Sequence, residues 1–132
     1  YFIIKLHPHT QVHTEGTNCD IPSEELLPVA DIVITDYSSI LFDAMIYQLP
    51  LVLFAPDLEE YLASRGFYLD YRTLPGIHIQ KEEQLVKVLS DEARLNSSVN
   101  QKYHDFFQDY MAACDGHATR RIMNYVSKSP NK

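Results

Sequence analysis

Asp36, Tyr37, Ser38 and Ser39 form a polar knot between two apolar runs in DIVITDYSSILFDAMIYQLPLVLF, residues 31–54. If a helix starts at Ser38 or Ser39, its first backbone N–H groups have no partner within the helix. The helix dipole places partial positive charge at the same end. Together these make an anion site that needs no lysine. Small serines let a phosphate approach the backbone, and their hydroxyls add donors. Asp36 would repel an anion, so it is better suited to accepting hydrogen bonds from a sugar hydroxyl or from the loop backbone. Asp43 stands one helical turn after Ser39, so both can lie along one face. Asp and Ser before a helix are also ordinary caps, worth about 1 kcal/mol. Spacing alone leaves capping and ligand binding both open.

His7 precedes Pro8 at the end of an apolar run. A histidine there can bond a backbone carbonyl, or it can act as a donor or general acid/base beside a phosphate, since it titrates near physiological pH. His7, His9 and His13 in HPHTQVH match no helical ligand pair and have no cysteine in zinc-motif spacing, so no metal site is expected. Arg65, before Gly66 at a helix end, reads as favourable charge at a helix C-terminus or as a fork for phosphate. The stripe Tyr103, Phe106, Phe107 and Tyr110 reads as core packing, and KEEQLVKVLSDEAR, residues 81–94, as a solvated helix face. Arg120 and Arg121 read as exposed, with one of them available to cover a ligand cleft.

The elements that must position these residues follow from periodicity. YFIIKL, residues 1–6, reads as a buried strand ended by His7-Pro8. Residues 9–22 read as polar loop, and Ser23 as the cap of a short helix to Leu27. Residues 31–35 and 51–54 read as strands, and their unbroken apolarity implies burial on both faces, as in parallel sheets. Helices are expected over 39–47 and 57–64, the second stopped by Gly66. Pro75-Gly76 marks a turn before a short strand at 77–79. The remainder reads as helical: 82–89 with Leu85, Val86 and Leu89 on one stripe, then 99–111, then 116–126, followed by a polar tail, 127–132. Strands alternating with helices imply an α/β fold with a Rossmann-like parallel sheet and helices on both faces. Ligands in such sheets sit beyond the carboxyl ends of the strands, where His7 and the Asp36–Ser39 knot both fall.

The chain has 132 residues, 45% hydrophobic and 22% charged, which suits one domain with its own core. Its formal charge of −7 disfavours sequence-independent nucleic-acid binding, which depends on neutralising phosphates. Cys19 and Cys114 read as reduced thiols, although spacing leaves a disulfide open. No run reaches the roughly 18 apolar residues of a membrane span. The sequence opens without an initiator Met, inside what reads as a strand, as a fragment of a longer protein would.

KLHP at 5–8, DIVITDYSS at 31–39 with Phe42-Asp43 one turn later, RGFYLDY at 65–71, LPG at 74–76 and DGHATRRIMNYV at 115–126 occur in this order. The sequence thereby resembles the CDP-glycerol glycerophosphotransferases, the teichoic-acid polymerases and primases, over nearly its whole length. The resemblance implies a GT-B architecture, with residues 1–126 as most of its C-terminal, donor-binding half and the final helix returning toward the other half. It implies transfer of glycerol phosphate, or ribitol phosphate or a similar polyol phosphate, from CDP-glycerol or a related nucleotide donor to a polymer hydroxyl, with release of CMP. Carried over by motif, His7 is the catalytic histidine near the donor phosphates. Ser38 and Ser39 bind those phosphates, Asp36 and Asp43 line the same pocket, and Arg65 is a basic neighbour. No cofactor or metal is implied. The polymer acceptor and its general base would belong to the N-terminal half, and the enzyme would sit peripherally on the inner face of the cell membrane, although no amphipathic basic helix here supplies that contact.

Two other readings compete. A sugar-nucleotide glycosyltransferase or nucleotide-sugar epimerase of GT-B type would usually carry a glycine-rich or Glu-bearing helix start in place of Asp-Tyr-Ser-Ser. A non-catalytic, receiver-like α/β module would need an acidic cluster after its first strand and a late lysine, and the first run here ends in His7.

Overall fold

The structure, a computed structural model, describes residues 1–5 and 19–128. These divide into two compact units, Tyr1–Ala30 and Asp31–Lys132.

In the first unit, α1 (Ser23–Leu26) runs into a single 3-10 turn, Leu27–Val29. The expected Ser23 cap is not formed. Pro22 occupies the cap position and no side chain bonds the first turn, so Ser23 is already helical. The expected buried strand at 1–6 is also absent over its described residues. Tyr1, Phe2 and Ile3 are exposed, and Ile4 alone makes an isolated bridge, its carbonyl accepting from the Cys19 amide at 3.2 Å. An apolar run becomes a strand only where a partner supplies donors and acceptors along its length, and among the described residues Cys19 alone bonds its main chain.

The second unit holds a three-stranded parallel sheet of β1 (Val33–Thr35), β2 (Leu51–Phe54) and β3 (Ile77–Ile79), in that spatial order. Val33 faces Leu51 and Thr35 faces Leu53, while Val52 faces Ile77 and Phe54 faces Ile79. β2 is therefore paired on both edges. Its residues Leu51, Val52 and Leu53 are wholly buried, so both faces are covered, as the unbroken apolarity implied. Val52, Ile77 and Ile79 form one cluster with Val88 and Leu95 from α4 (Glu82–Leu89) and α5 (Glu92–Ser97). α2 (Ile40–Ile46) buries Leu41, Ala44 and Met45. α3 (Leu58–Ser64) follows β2, and α6 (Gln101–Met111) and α7 (Ala118–Lys128) end the described chain.

Two side-chain assignments change. On α4 the buried residue is Val88, with Leu85 and Leu89 half-buried, while Val86 is 67% exposed, so the stripe runs 85–88–89. On α6, Tyr103 and Met111 are buried and Tyr110 is exposed. The Tyr103 hydroxyl donates to the Leu49 carbonyl at 3.1 Å, satisfying a buried acceptor just before β2. Burial pushes that phenol's pKa up. α7 buries nothing, and Ile122, Met123, Tyr125 and Val126 are exposed along it.

Two turns deliver the chain to the sheet, after Gln48 and at Gly76, and a third starts α6. Gln48, after α2, has φ +54, the left-handed stop of a helix ending before Leu49-Pro50. Asn100 caps α6, its side chain accepting from the Tyr103 amide at 3.3 Å. Gly76 has φ +118, and a Cβ there would come within 2.9 Å of both the Cβ and the carbonyl oxygen of Leu51. The turn entering β3 thus presses on the first residue of β2, and only glycine meets both demands. Gly76→Ala is expected to destabilise the protein by about 2–4 kcal/mol, read as a lower denaturant midpoint with an unchanged slope.

Candidate functional site

β1 ends at Thr35 and α2 begins at Ile40, so the knot is the four-residue connection beyond the carboxyl end of β1. Asp36, Ser38 and Ser39 are exposed, and Tyr37 between them is half-buried. The Ser38 hydroxyl accepts from the Ile40 amide at 3.3 Å, a long capping contact. Ser39, already at helical φ −65 and ψ −8, makes no capping bond with its side chain. The connection therefore presents the Ser38 and Ser39 side chains to solvent at the start of α2, with the Ile40 amide taken up by the Ser38 hydroxyl. Asp43 is exposed on the first turn of α2.

Aromatic rings fasten the knot from outside. The Tyr37 hydroxyl donates to Asp57 Oδ1 at 2.6 Å, and its ring stacks on Tyr61 of α3, with centroids 3.7 Å apart. Phe67 and Tyr71 complete the cluster, at 5.7 and 5.4 Å from Tyr37. The Tyr71 hydroxyl donates to the Asp36 carbonyl at 3.2 Å. Burial, and then the nearby charges of Asp36 and Asp57, push the Tyr71 pKa up to about 12. Burial and the bond to Asp57 push Tyr37 up as well. Arg65 ends α3, and its guanidinium lies 6.0 Å from the centre of the Tyr61 ring. It is not in either ion pair, Arg72 with Glu59 or Arg121 with Asp115, found among the described residues.

The structure thus brings Asp36, Ser38 and Ser39 together, sets Asp43 one turn on, and anchors Arg65 to the aromatic cluster that holds the knot. His7 and the HPHTQVH segment lie outside the described residues. No group of three His, Cys, Asp or Glu side chains suited to a metal occurs among the described residues. Cys19 and Cys114 are free. Arg121 is held by Asp115, at 2.7 and 2.8 Å, and by the Ala113 carbonyl, and that guanidinium keeps the Asp115 carboxyl below the usual range. Arg120 is exposed. The residues that residue-type reasoning missed are Tyr37, Asp57, Tyr61 and Tyr71. They lie up to 34 positions apart, and no periodicity links them.

A second concavity, about 420 Å³, opens at the carboxyl ends of β2 and β3, lined by Leu53, Ala55, Tyr71, His78 and Gln84 among others. Its polar groups are largely engaged. His78 Nε2 lies 2.9 Å from the Leu74 carbonyl, and Gln84 Oε1 accepts from the Gln80 and Lys81 amides. Arg72, paired with Glu59, also lines it, and none of the knot residues does.

A parallel α/β sheet with its exposed polar residues at the carboxyl end of a strand is the arrangement of nucleotide-binding domains of the Rossmann type. Comparison with known proteins narrows this. The family model described as CDP-Glycerol:Poly(glycerophosphate) glycerophosphotransferase matches residues 1–128. The teichoic acid poly(ribitol-phosphate) polymerase of Bacillus spizizenii is 28% identical over 95% of this chain and 21% of its own length. The teichoic acid glycerol-phosphate primase of the same organism is 27% identical over 97% of this chain and 35% of its own. Among solved structures, the wall teichoic acid polymerase TagF superposes with a TM-score of 0.66 at 32% identity, covering 79% of this chain and 26% of that one. One such TagF structure was determined after a soak with CDPG. The chain belongs to the CDP-glycerol:poly(glycerophosphate) glycerophosphotransferase family and has the α/β architecture of a GT-B enzyme. It spans about a fifth to a third of the length of these curated relatives.

Two outcomes test the local geometry. Because Ser39 makes no capping bond, Ser39→Ala is expected to change stability by less than about 0.5 kcal/mol, whereas a serine kept as a cap would cost about 1. The Tyr71 phenol is neutral in the folded state up to about pH 12, while in the unfolded chain it ionises near 10. Its contribution is thus complete below pH 10 and lost as pH rises toward 12, so alkaline unfolding in that window is expected to flatten in Tyr71→Phe.

Proposed function

We propose that this chain is the donor-binding half of a transferase that moves glycerol phosphate, or a similar polyol phosphate, from CDP-glycerol to a hydroxyl of a growing polymer and releases CMP. The observation that carries the reading is the exposed Asp36–Ser39 connection at the carboxyl end of β1, with the Ser38 and Ser39 side chains open to solvent at the start of α2, in a chain of this family. Residues 1–126 would form the donor domain, with 127–132 as its tail.

Phosphoryl transfer asks for positioning and charge neutralisation more than covalent chemistry. Ser38, Ser39 and the amides that follow them would bind the donor diphosphate, and donors aimed at the bridging and departing oxygens stabilise CMP as it leaves. His7, protonated, would give a further donor to the same oxygens. Asp36 would accept from a sugar hydroxyl of the donor. Asp43 would line the pocket, and Arg65, carried on α3, would reach a phosphate as a planar fork. The base for the attacking hydroxyl, and the polymer site, would lie in the parts that the relatives have beyond the matched region, so this chain alone would bind weakly and turn over little. The parent would act peripherally at the inner membrane face. Among the described residues no helix is long and apolar enough to cross a membrane.

Titration with CDP-glycerol, CMP and UDP-sugars, followed by amide chemical shifts, tests this. Shifts at Ser38, Ser39 and His7 with the cytidine ligands are expected, and shifts with uridine ligands alone would transfer the chain to a sugar-nucleotide role. In the polymer-extension reaction, Ser39→Ala is expected to slow CMP release about 10²-fold, the usual cost of one lost oxyanion donor.

A further inference from the structure

We propose that Tyr37 is a positioning residue: its hydroxyl bond to Asp57 and its stack on Tyr61, seconded by the Tyr71 bond to the Asp36 carbonyl, set the shape of the Asp36–Ser39 connection. The importance of that shape for catalysis rests on the donor-site reading above.

The allocation of Asp57 carries the inference. Asp57 stands at the N-cap of α3, where an aspartate ordinarily accepts from its own helix and adds about 1 kcal/mol. Its side chain makes no such bond. It takes the Tyr37 hydroxyl instead, at 2.6 Å, a charge-assisted bond between residues 20 positions apart. A ring present only to fill space would not need that hydroxyl. The connection's own ties fall at its helix end: the 3.3 Å contact from the Ile40 amide to the Ser38 hydroxyl and the 3.0 Å bond from the Phe42 amide to the Ser39 carbonyl. Its outside anchors fall on the two residues before, Tyr37 through the 2.6 Å bond of its side chain and Asp36 through a longer, 3.2 Å bond to its carbonyl, and both come from elements beyond β2. Two neighbouring residues pinned from outside fix the direction in which the next two, Ser38 and Ser39, present their amides and hydroxyls.

Tyr37→Phe keeps the ring and removes the hydroxyl. Asp57→Asn keeps an acceptor oxygen, and Asp57→Ala removes it. Without ligand, Tyr37→Phe and Asp57→Ala are expected to lower the backbone order parameters of Ser38 and Ser39 from about 0.85 toward 0.6, with Val52 in the sheet unchanged. Asp57→Asn is expected to stay near wild type. In the polymer-extension reaction of the full-length enzyme the first two variants should lower kcat/KM for CDP-glycerol about tenfold, with Asp57→Asn again preserved. Unchanged order at Ser38 and Ser39 in Tyr37→Phe, or an equal loss of order throughout the sheet, would overturn the positioning role. If wild-type protein fails to bind CDP-glycerol, the donor-site reading falls, and the order parameters still decide whether Tyr37 shapes the connection.

Discussion

A strand paired on both edges and covered on both faces has no direction left in which to place a polar side chain. β2 is such a strand, and its complete burial is the constraint from which the rest of the second unit follows. β1 and β3 must run parallel to it in register, because only their main chains can satisfy its amides and carbonyls. The helices between must return the chain to the same end of the sheet each time. The turns at the entering end are therefore tight and apolar: Gly76 is pressed on Leu51, Leu49 is buried, and Tyr103 reaches in to satisfy the Leu49 carbonyl. Polar residues collect at the opposite end, after Thr35, after Phe54 and after Ile79, and the exposed serines are found there.

The acid beside the two serines has a structural use. Asp36 is exposed, and its carbonyl rather than its carboxylate takes the Tyr71 hydroxyl. Asp57, the other nearby acid, is occupied by a phenol. The cluster of Tyr37, Tyr61, Phe67 and Tyr71 thus takes up one carboxylate and one carbonyl, and it carries Arg65 on its edge.

The sheet was legible because unbroken apolar runs of three or four residues leave few options: 33–35, 51–54 and 77–79 fall within the stretches expected of them. Most helices were legible to within two residues, since Gly66 and Pro50 mark two of their ends, but α5 (Glu92–Ser97) was not foreseen as a helix of its own, because residues 81–94 read as one solvated face and the chain breaks at Ser90-Asp91. Residues 1–4 misled because composition registers apolarity and is silent on partners, and a strand needs a partner. Val86 misled because the side of α4 that meets the core is centred on Val88, with Leu85 and Leu89 beside it, and Val86 lies off that stripe. The candidate residues Asp36, Ser38, Ser39, Asp43 and Arg65 could be picked out from residue type and motif. The aromatic cluster could not, for it is made by tertiary contact among positions 37, 61, 67 and 71, and Tyr37 stands in the motif without announcing that its hydroxyl reaches α3.

The relatives bear on which part of the chemistry such a domain can hold. A poly(ribitol-phosphate) polymerase and a glycerol-phosphate primase match this chain almost equally well, at 28% and 27% identity over nearly its whole length. Proteins named for different polyols would be expected to diverge where the polyol is read and to agree where a common moiety is held. In the reading proposed, that moiety is the cytidine diphosphate, and backbone amides with two hydroxyls are suited to it, because they recognise phosphate oxygens and are indifferent to the length of the alcohol beyond. Discrimination between three and five carbons needs a pocket whose buried polar groups are left unpaired by the wrong substrate. The Asp36–Ser39 connection is open to solvent and has no such enclosure, so a choice between polyols would have to be made by surfaces that close over the donor from elsewhere in the enzyme.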